Sequence, residues 1–128
     1  MADAQGCPVT VPARPAIAGG RYGNGKLRVG GLWPDGVIAV GANYVDARGR
    51  VQMKFPWWRL VSGELEITGT RLDAPAPPLR SIVPAGYGPT GFQASGVIVP
   101  TEGCWRITGR AGTGTLTFVT FVIKRAGA

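Results

Sequence analysis

Apolar and polar residues alternate along this chain in short bursts, and glycine or proline closes each one. Val51, Met53 and Phe55 alternate with Gln52 and Lys54, the period of two that predicts a half-buried strand. Leu65 and Ile67 alternate with Glu64, Glu66 and Thr68, which predicts a second strand over Glu64 to Thr70 with one solvated face. Lys26 to Val29, Val37 to Val40 and Val97 to Val99 predict three more short strands. The strongest signal is at the C-terminal side. Trp105 and Ile107 fall on one face of an extended segment, with Cys104, Arg106 and Thr108 on the other. Arg110 to Gly114 then offers two glycines for a turn, and Thr115 to Ile123 is rich in β-branched residues and phenylalanine. A hairpin over Cys104–Gly109 and Thr115–Ile123 follows. Leu116, Phe118 and Val122 point one way and Val119, Phe121 and Ile123 the other, so the last strand is expected to be central and covered on both faces.

The breaks between bursts are as informative as the bursts. Trp33-Pro-Asp-Gly36 and Asp46-Ala-Arg-Gly49 read as turns. Pro56-Trp57-Trp58-Arg59 is expected to break the strand that ends at Phe55. Asp73 to Phe92 carries five prolines and is expected to form a long irregular connection. Only Thr115–Ala126 runs more than seven residues without glycine or proline, so an ordinary helix has almost nowhere to form. Residues 1–25, with Pro8, Pro12 and Pro15, are expected to form an extended N-terminal arm, Val9 and Val11 pairing at a sheet edge. Residues 26–128 are expected to form one domain: an all-β, immunoglobulin-like antiparallel β-sandwich of about seven strands. A small barrel is the competing architecture.

Composition supports a globule. Of the 128 residues 21 are Gly and 11 are Pro, but Leu, Ile, Val and Phe make up about a quarter, above the level typical of disordered chains. The formal charge is +7, and most of the basic residues are arginine. They are scattered, with no run longer than two, and no nucleic-acid module accompanies them. The charge favours an anionic polymer over specific nucleic acid as a partner. No stretch approaches the 18 or more apolar residues of a membrane span.

Two residue types bound the chemistry. There is no histidine, which removes Ser-His-Asp and Cys-His hydrolase mechanisms and imidazole-ligated metals. No phosphate-binding loop is present either, so no cofactor and no metal is expected. Cys7 and Cys104 are the only cysteines. A disulfide between them implies an oxidising compartment; two unrelated thiols, or a lipidated Cys7, are the other readings.

Pro100-Thr-Glu-Gly-Cys-Trp-Arg-Ile-Thr-Gly109, a turn and a closing strand resemble the last hairpin of bacterial extracytoplasmic immunoglobulin-like domains, over about 25 residues. Lys54-Phe-Pro-Trp-Trp-Arg59, Leu72-Asp-Ala-Pro-Ala-Pro-Pro-Leu-Arg80 and Gly86-Tyr-Gly-Pro-Thr-Gly-Phe92 are similar to segments of uncharacterised secreted or lipoprotein-like bacterial proteins. The resemblance implies fold and an extracytoplasmic location, secreted or cell-surface, and carries no activity with it.

No catalytic constellation stands out. Glu64, Glu66, Asp73 and Glu102 would have to converge for a carboxylate-based, glycoside-type hydrolase; Glu64 and Glu66 read equally as solvated residues opposite basic partners. The sharper candidates are for binding. Trp57 and Trp58 must point to opposite faces of a strand, so one can plug the core while the other stacks on a ligand beside Arg59 and Tyr87. Arg80, Tyr87 and Phe92 of the long connection could form a binding edge or a strap pinned to the sandwich. The partners this implies are a glycan, an anionic polymer or another cell-surface protein.

Overall fold

The structure is a computed structural model, and it describes residues 6–11, 22–33 and 35–125. The expectations that fall on Met1 to Gln5, on Pro12 to Arg21 and on Ala126 to Ala128 lie outside the described residues. Nine strands are present: β1 (Tyr22–Gly23), β2 (Leu27–Val29), β3 (Val37–Val40), β4 (Val51–Arg59), β5 (Glu66–Arg71), β6 (Arg80–Ile82), β7 (Gly91–Val99), β8 (Gly103–Ala111) and β9 (Gly114–Lys124). One turn of 3-10 helix, Ala42–Tyr44, is the only helix among the described residues. The strands form two sheets, β1-β2-β4-β7-β6 and β3-β9-β8-β5. All neighbours are antiparallel except β3 and β9, which run parallel. The fold is thus an all-β sandwich of two sheets.

The core lies between the sheets and follows from the alternation. Val51, Met53, Phe55 and Trp57 of β4 and Val97 and Val99 of β7 face Ile67, Trp105, Ile107, Phe118 and Val122 of the other sheet. Phe55 and Trp57 close on Phe118, with ring centroids 5.3 and 6.1 Å away. Trp57 fits because Gly109 carries no side chain: a Cβ there would collide with the indole ring.

Three expectations are corrected. The strand from Val51 does not break at Pro56 but runs on to Arg59. In a strand, the N–H and C=O of one residue point to the same edge. The Pro56 carbonyl accepts from the Gly30 N–H at 2.8 Å, one residue beyond β2. The missing proline N–H therefore faces the edge where β2 has already ended, and no ladder bond is lost. Second, the connection after Asp73 is not irregular to Phe92. It contains β6, and β7 begins at Gly91, so the strand expected at Val97 is nine residues long. Third, the hairpin turn is Gly112-Thr113 alone: Ala111 pairs with Gly114, and Gly112 takes φ +57°.

β9 lies between β3 and β8, and both its faces are covered toward its end, where Phe121 and Val122 are buried. Thr10 binds its outer edge. Its N–H donates to the Val119 carbonyl at 2.8 Å and its Oγ1 accepts the Val119 N–H at 2.9 Å. Beside it, Cys7 and Cys104 form a disulfide, and no free cysteine remains among the described residues. Among the described residues no helix is long and apolar enough to cross a membrane.

Candidate functional site

The β4–β7 pair builds two surfaces from consecutive residues. The register sets Trp57 opposite Gln93, Trp58 opposite Phe92 and Arg59 opposite Gly91. Alternation then sends Trp57, Arg59 and Gln93 inward and Trp58 and Phe92 outward.

Outward, Trp58 is half-buried and meets Phe92 edge to face at 5.8 Å; Phe92 meets Tyr87 of the 83–90 loop in the same way at 5.9 Å. Phe92 is 48% exposed and Tyr87 39%. The result is a ridge of three rings on the outside of the first sheet.

Inward, Trp57 is wholly buried and donates its Nε1–H to Ser95 Oγ at 3.0 Å; Ser95 in turn donates to the Phe55 carbonyl at 2.8 Å. Trp57 is core and takes no part in the ridge. Arg59 is also buried. Its guanidinium donates to the carbonyls of Gly63 at 3.0 Å and Pro89 at 3.2 Å, and to that of Gly88. It pins the loop from beneath rather than joining Tyr87 in a cationic-aromatic patch. Gln93, which nothing in the sequence singled out, donates its Nε2–H to the Pro84 carbonyl at 3.2 Å. Arg59 and Gln93 wall a recess of about 400 Å³ at this end of the sandwich, with Glu64 exposed at its rim.

Arg80 is exposed on β6, opposite Ile98. Ile98 lies six positions along β7 from Phe92, about 20 Å of strand, so Arg80 does not join the aromatic ridge.

The carboxylates are dispersed. Glu66 faces solvent with Arg110 as its cross-strand neighbour. Asp73 and Glu102 do line one cleft, of about 700 Å³. Asp73 pairs with Arg71 Nε at 2.7 Å and accepts the Cys104 N–H at 3.0 Å; Glu102 accepts the Lys124 N–H at 2.8 Å. Burial pushes the Asp73 pKa up, but hydrogen bonds from Arg71 and the Cys104 N–H, with the charge of Arg71, outweigh it and hold the carboxyl below its ordinary value. No cluster of three acidic or thiol side chains able to hold a metal occurs among the described residues.

No protein-family model matches the chain, and no curated protein matches it in sequence.

Proposed function

We propose that this chain is an extracytoplasmic binding module that holds a glycan against the Trp58–Phe92–Tyr87 ridge. The observation that carries the reading is the ridge itself: three rings locked edge to face on a sheet exterior, where packing the core has no use for them. Flat rings held at fixed angles offer apolar faces to the CH-bearing side of a sugar ring. The net charge of +7 favours an anionic glycan over a neutral one. The disulfide supports the extracytoplasmic location.

An immunoglobulin-like kinship is part of the same reading. The order β2-β4-β7-β6 over β9-β8-β5 has the strand sequence of such domains. The chain departs from antibody domains in its disulfide, which joins β8 to the N-terminal segment rather than to β4.

The test is calorimetric titration of a panel of neutral and uronate-containing oligosaccharides, on the native chain and on Trp58→Ala. Binding by the native chain, weakened at least about tenfold in Trp58→Ala with an unchanged melting temperature, is expected. Equal affinity in the two proteins, or retention only of a non-carbohydrate polyanion or a cell-surface protein, overturns the glycan reading. The carboxylate hydrolase is the weaker alternative. A general acid needs a raised pKa, whereas the Asp73 carboxyl is held low and both cleft carboxylates are tied to backbone N–H groups.

A further inference from the structure

One glycine of the first sheet has no use in folding. Gly96 sits in the interior of β7, where a glycine weakens a strand. Other strand glycines are required: a Cβ at Gly109 or Gly69 would collide with Trp57 or Leu79, and Gly91 and Gly103 take positive φ. Gly96 does not take positive φ, and the β4–β7 register runs through it without a bulge. A Cβ there would meet only the Met53 carbonyl oxygen at 3.8 Å and Ile82 Cβ at 3.9 Å, which are ordinary contacts. The use that remains for such a glycine is close approach by something outside the chain.

The register shows what surrounds it. On the outward face of the first sheet the rows run Arg28–Trp58–Phe92, Pro56–Ala94, Lys54–Gly96–Ile82 and Gln52–Ile98–Arg80. The first row holds the aromatic ridge. Beyond it lies a groove of about 520 Å³, with Ala94 and Gly96 on its floor and Lys54, Ile82, Pro84 and the exposed Tyr44 in its lining. Successive outward positions of β7 are about 6.6 Å apart, so ridge and groove form one track of about 20 Å. Arg28, Lys54 and Arg80 are exposed on this face and belong to neither ion pair among the described residues. The five strands of the sheet contain no Asp or Glu.

An apolar track flanked by cations alone suits an extended anionic partner. β7 is paired on both edges, with β4 and β6, so the floor offers no free backbone to a peptide strand. A second copy would set the cations of this face against themselves. We propose that the ridge is one end of a longer site, which takes a linear acidic polysaccharide laid along β7, a sugar ring against Gly96 and carboxylates at Lys54 and Arg80. The ligand class rests on the reading of the ridge; the groove adds length and the side chains that meet the charge.

The experiment titrates galacturonate oligomers of two, four and six units into the disulfide-intact chain and its variants by calorimetry. Native affinity is expected to rise at least about tenfold from dimer to hexamer. Gly96→Ala checks the premise: it is expected to melt no lower than the native chain, and a lower melting temperature overturns the proposal. Gly96→Val fills the groove and is expected to bind the three lengths within about twofold of one another. Lys54→Gln with Arg80→Gln is expected to lose at least about fivefold in hexamer affinity. A native affinity that does not grow with length, or a gain that survives both Gly96→Val and the charge variant, overturns the longer site and leaves the ridge as a glycan site. Binding at no length also overturns it, and the oligosaccharide panel then decides the ridge separately. Equal affinity for poly-glutamate, preference for phosphatidylglycerol vesicles, or dimerisation of the free chain that Gly96→Val abolishes overturns it in favour of those occupants.

Discussion

The two ends of the sandwich are built from the same strands and finished in opposite ways. At the end where β8 begins, the charged and polar side chains are tied to internal partners. Asp73 holds both Arg71 and the Cys104 N–H, Glu102 holds the Lys124 N–H, Trp105 donates to the Thr101 carbonyl at 3.0 Å, and the disulfide fastens the N-terminal segment there. At the end where β4 finishes, Arg59 and Gln93 are far more deeply buried, and each keeps one atom without a partner. One end satisfies its polar groups internally; the other seals two polar atoms away without partners. Folding alone favours the first arrangement everywhere, because a buried unpaired group lowers stability.

The largest effect expected is at the closed end. The disulfide spans 97 residues of sequence, and the chain-entropy account gives a loop of that size roughly 4–5 kcal/mol as an upper figure. Cys7→Ser with Cys104→Ser should lower the unfolding free energy by about 2–5 kcal/mol, measured as a shift of the urea midpoint with m tracked. A loss under about 1 kcal/mol would mean that the sheets, not the staple, close that end.

The next effect lies at the other end. Trp57 stands opposite Gln93 in the β4–β7 register and rests against Gly109. Gly109→Ala puts a methyl group into the indole ring, and β8 and β9 are too tightly paired to retreat. Overpacking of this kind should cost about 1–3 kcal/mol. It should also disturb the Trp57–Ser95 hydrogen bond, seen as a shifted indole N–H resonance. If the variant is as stable as the parent, the contact between Trp57 and Gly109 is loose.

The closed end was the more legible of the two. Alternation at Trp105 and Ile107 predicts the hairpin, and the two cysteines offer its disulfide as one of three readings, the one the structure bears out. Strand β4 was legible only to Phe55, because Pro56 signals a break unless one knows that β2 stops short of it. That is a property of a neighbouring strand, absent from the local pattern. The start of β7 was hidden for a related reason: Pro84, Pro89 and the glycines around them mask a strand whose register is set by β4. The site suffered most. Arg59 beside two tryptophans suggests an exposed cation, and Gln93 suggests nothing. Only the register reveals that both point inward beneath one loop, and the pairing of Trp58 with Phe92 emerges from the same register. Of the residues singled out in advance, Trp58, Tyr87 and Phe92 come together; Trp57, Arg59 and Arg80 are placed elsewhere.

The smallest effect asks whether the closed end owes its closure to charge or to geometry. Asp73→Asn keeps an oxygen for the Cys104 N–H and removes the charge that faces Arg71. The Asp73 side chain is 41% exposed, so solvent screens the pair, and its loss at neutral pH should cost less than about 1 kcal/mol. The pH dependence is the sharper reading. The native state holds this carboxyl below its ordinary value of 3.8, so the native chain binds the proton less readily than the unfolded one. Its contribution is complete above that ordinary value and fades as pH falls through the lower native one. The stability gap between the parent and Asp73→Asn should accordingly be constant at neutral pH, begin to narrow below about pH 4 and disappear once Asp73 is protonated in both states. Urea midpoints at several pH values on both proteins decide the matter. A gap that persists undiminished into strong acid would show that Asn fails the Cys104 N–H sterically, and that shape rather than charge finishes this end of the sandwich.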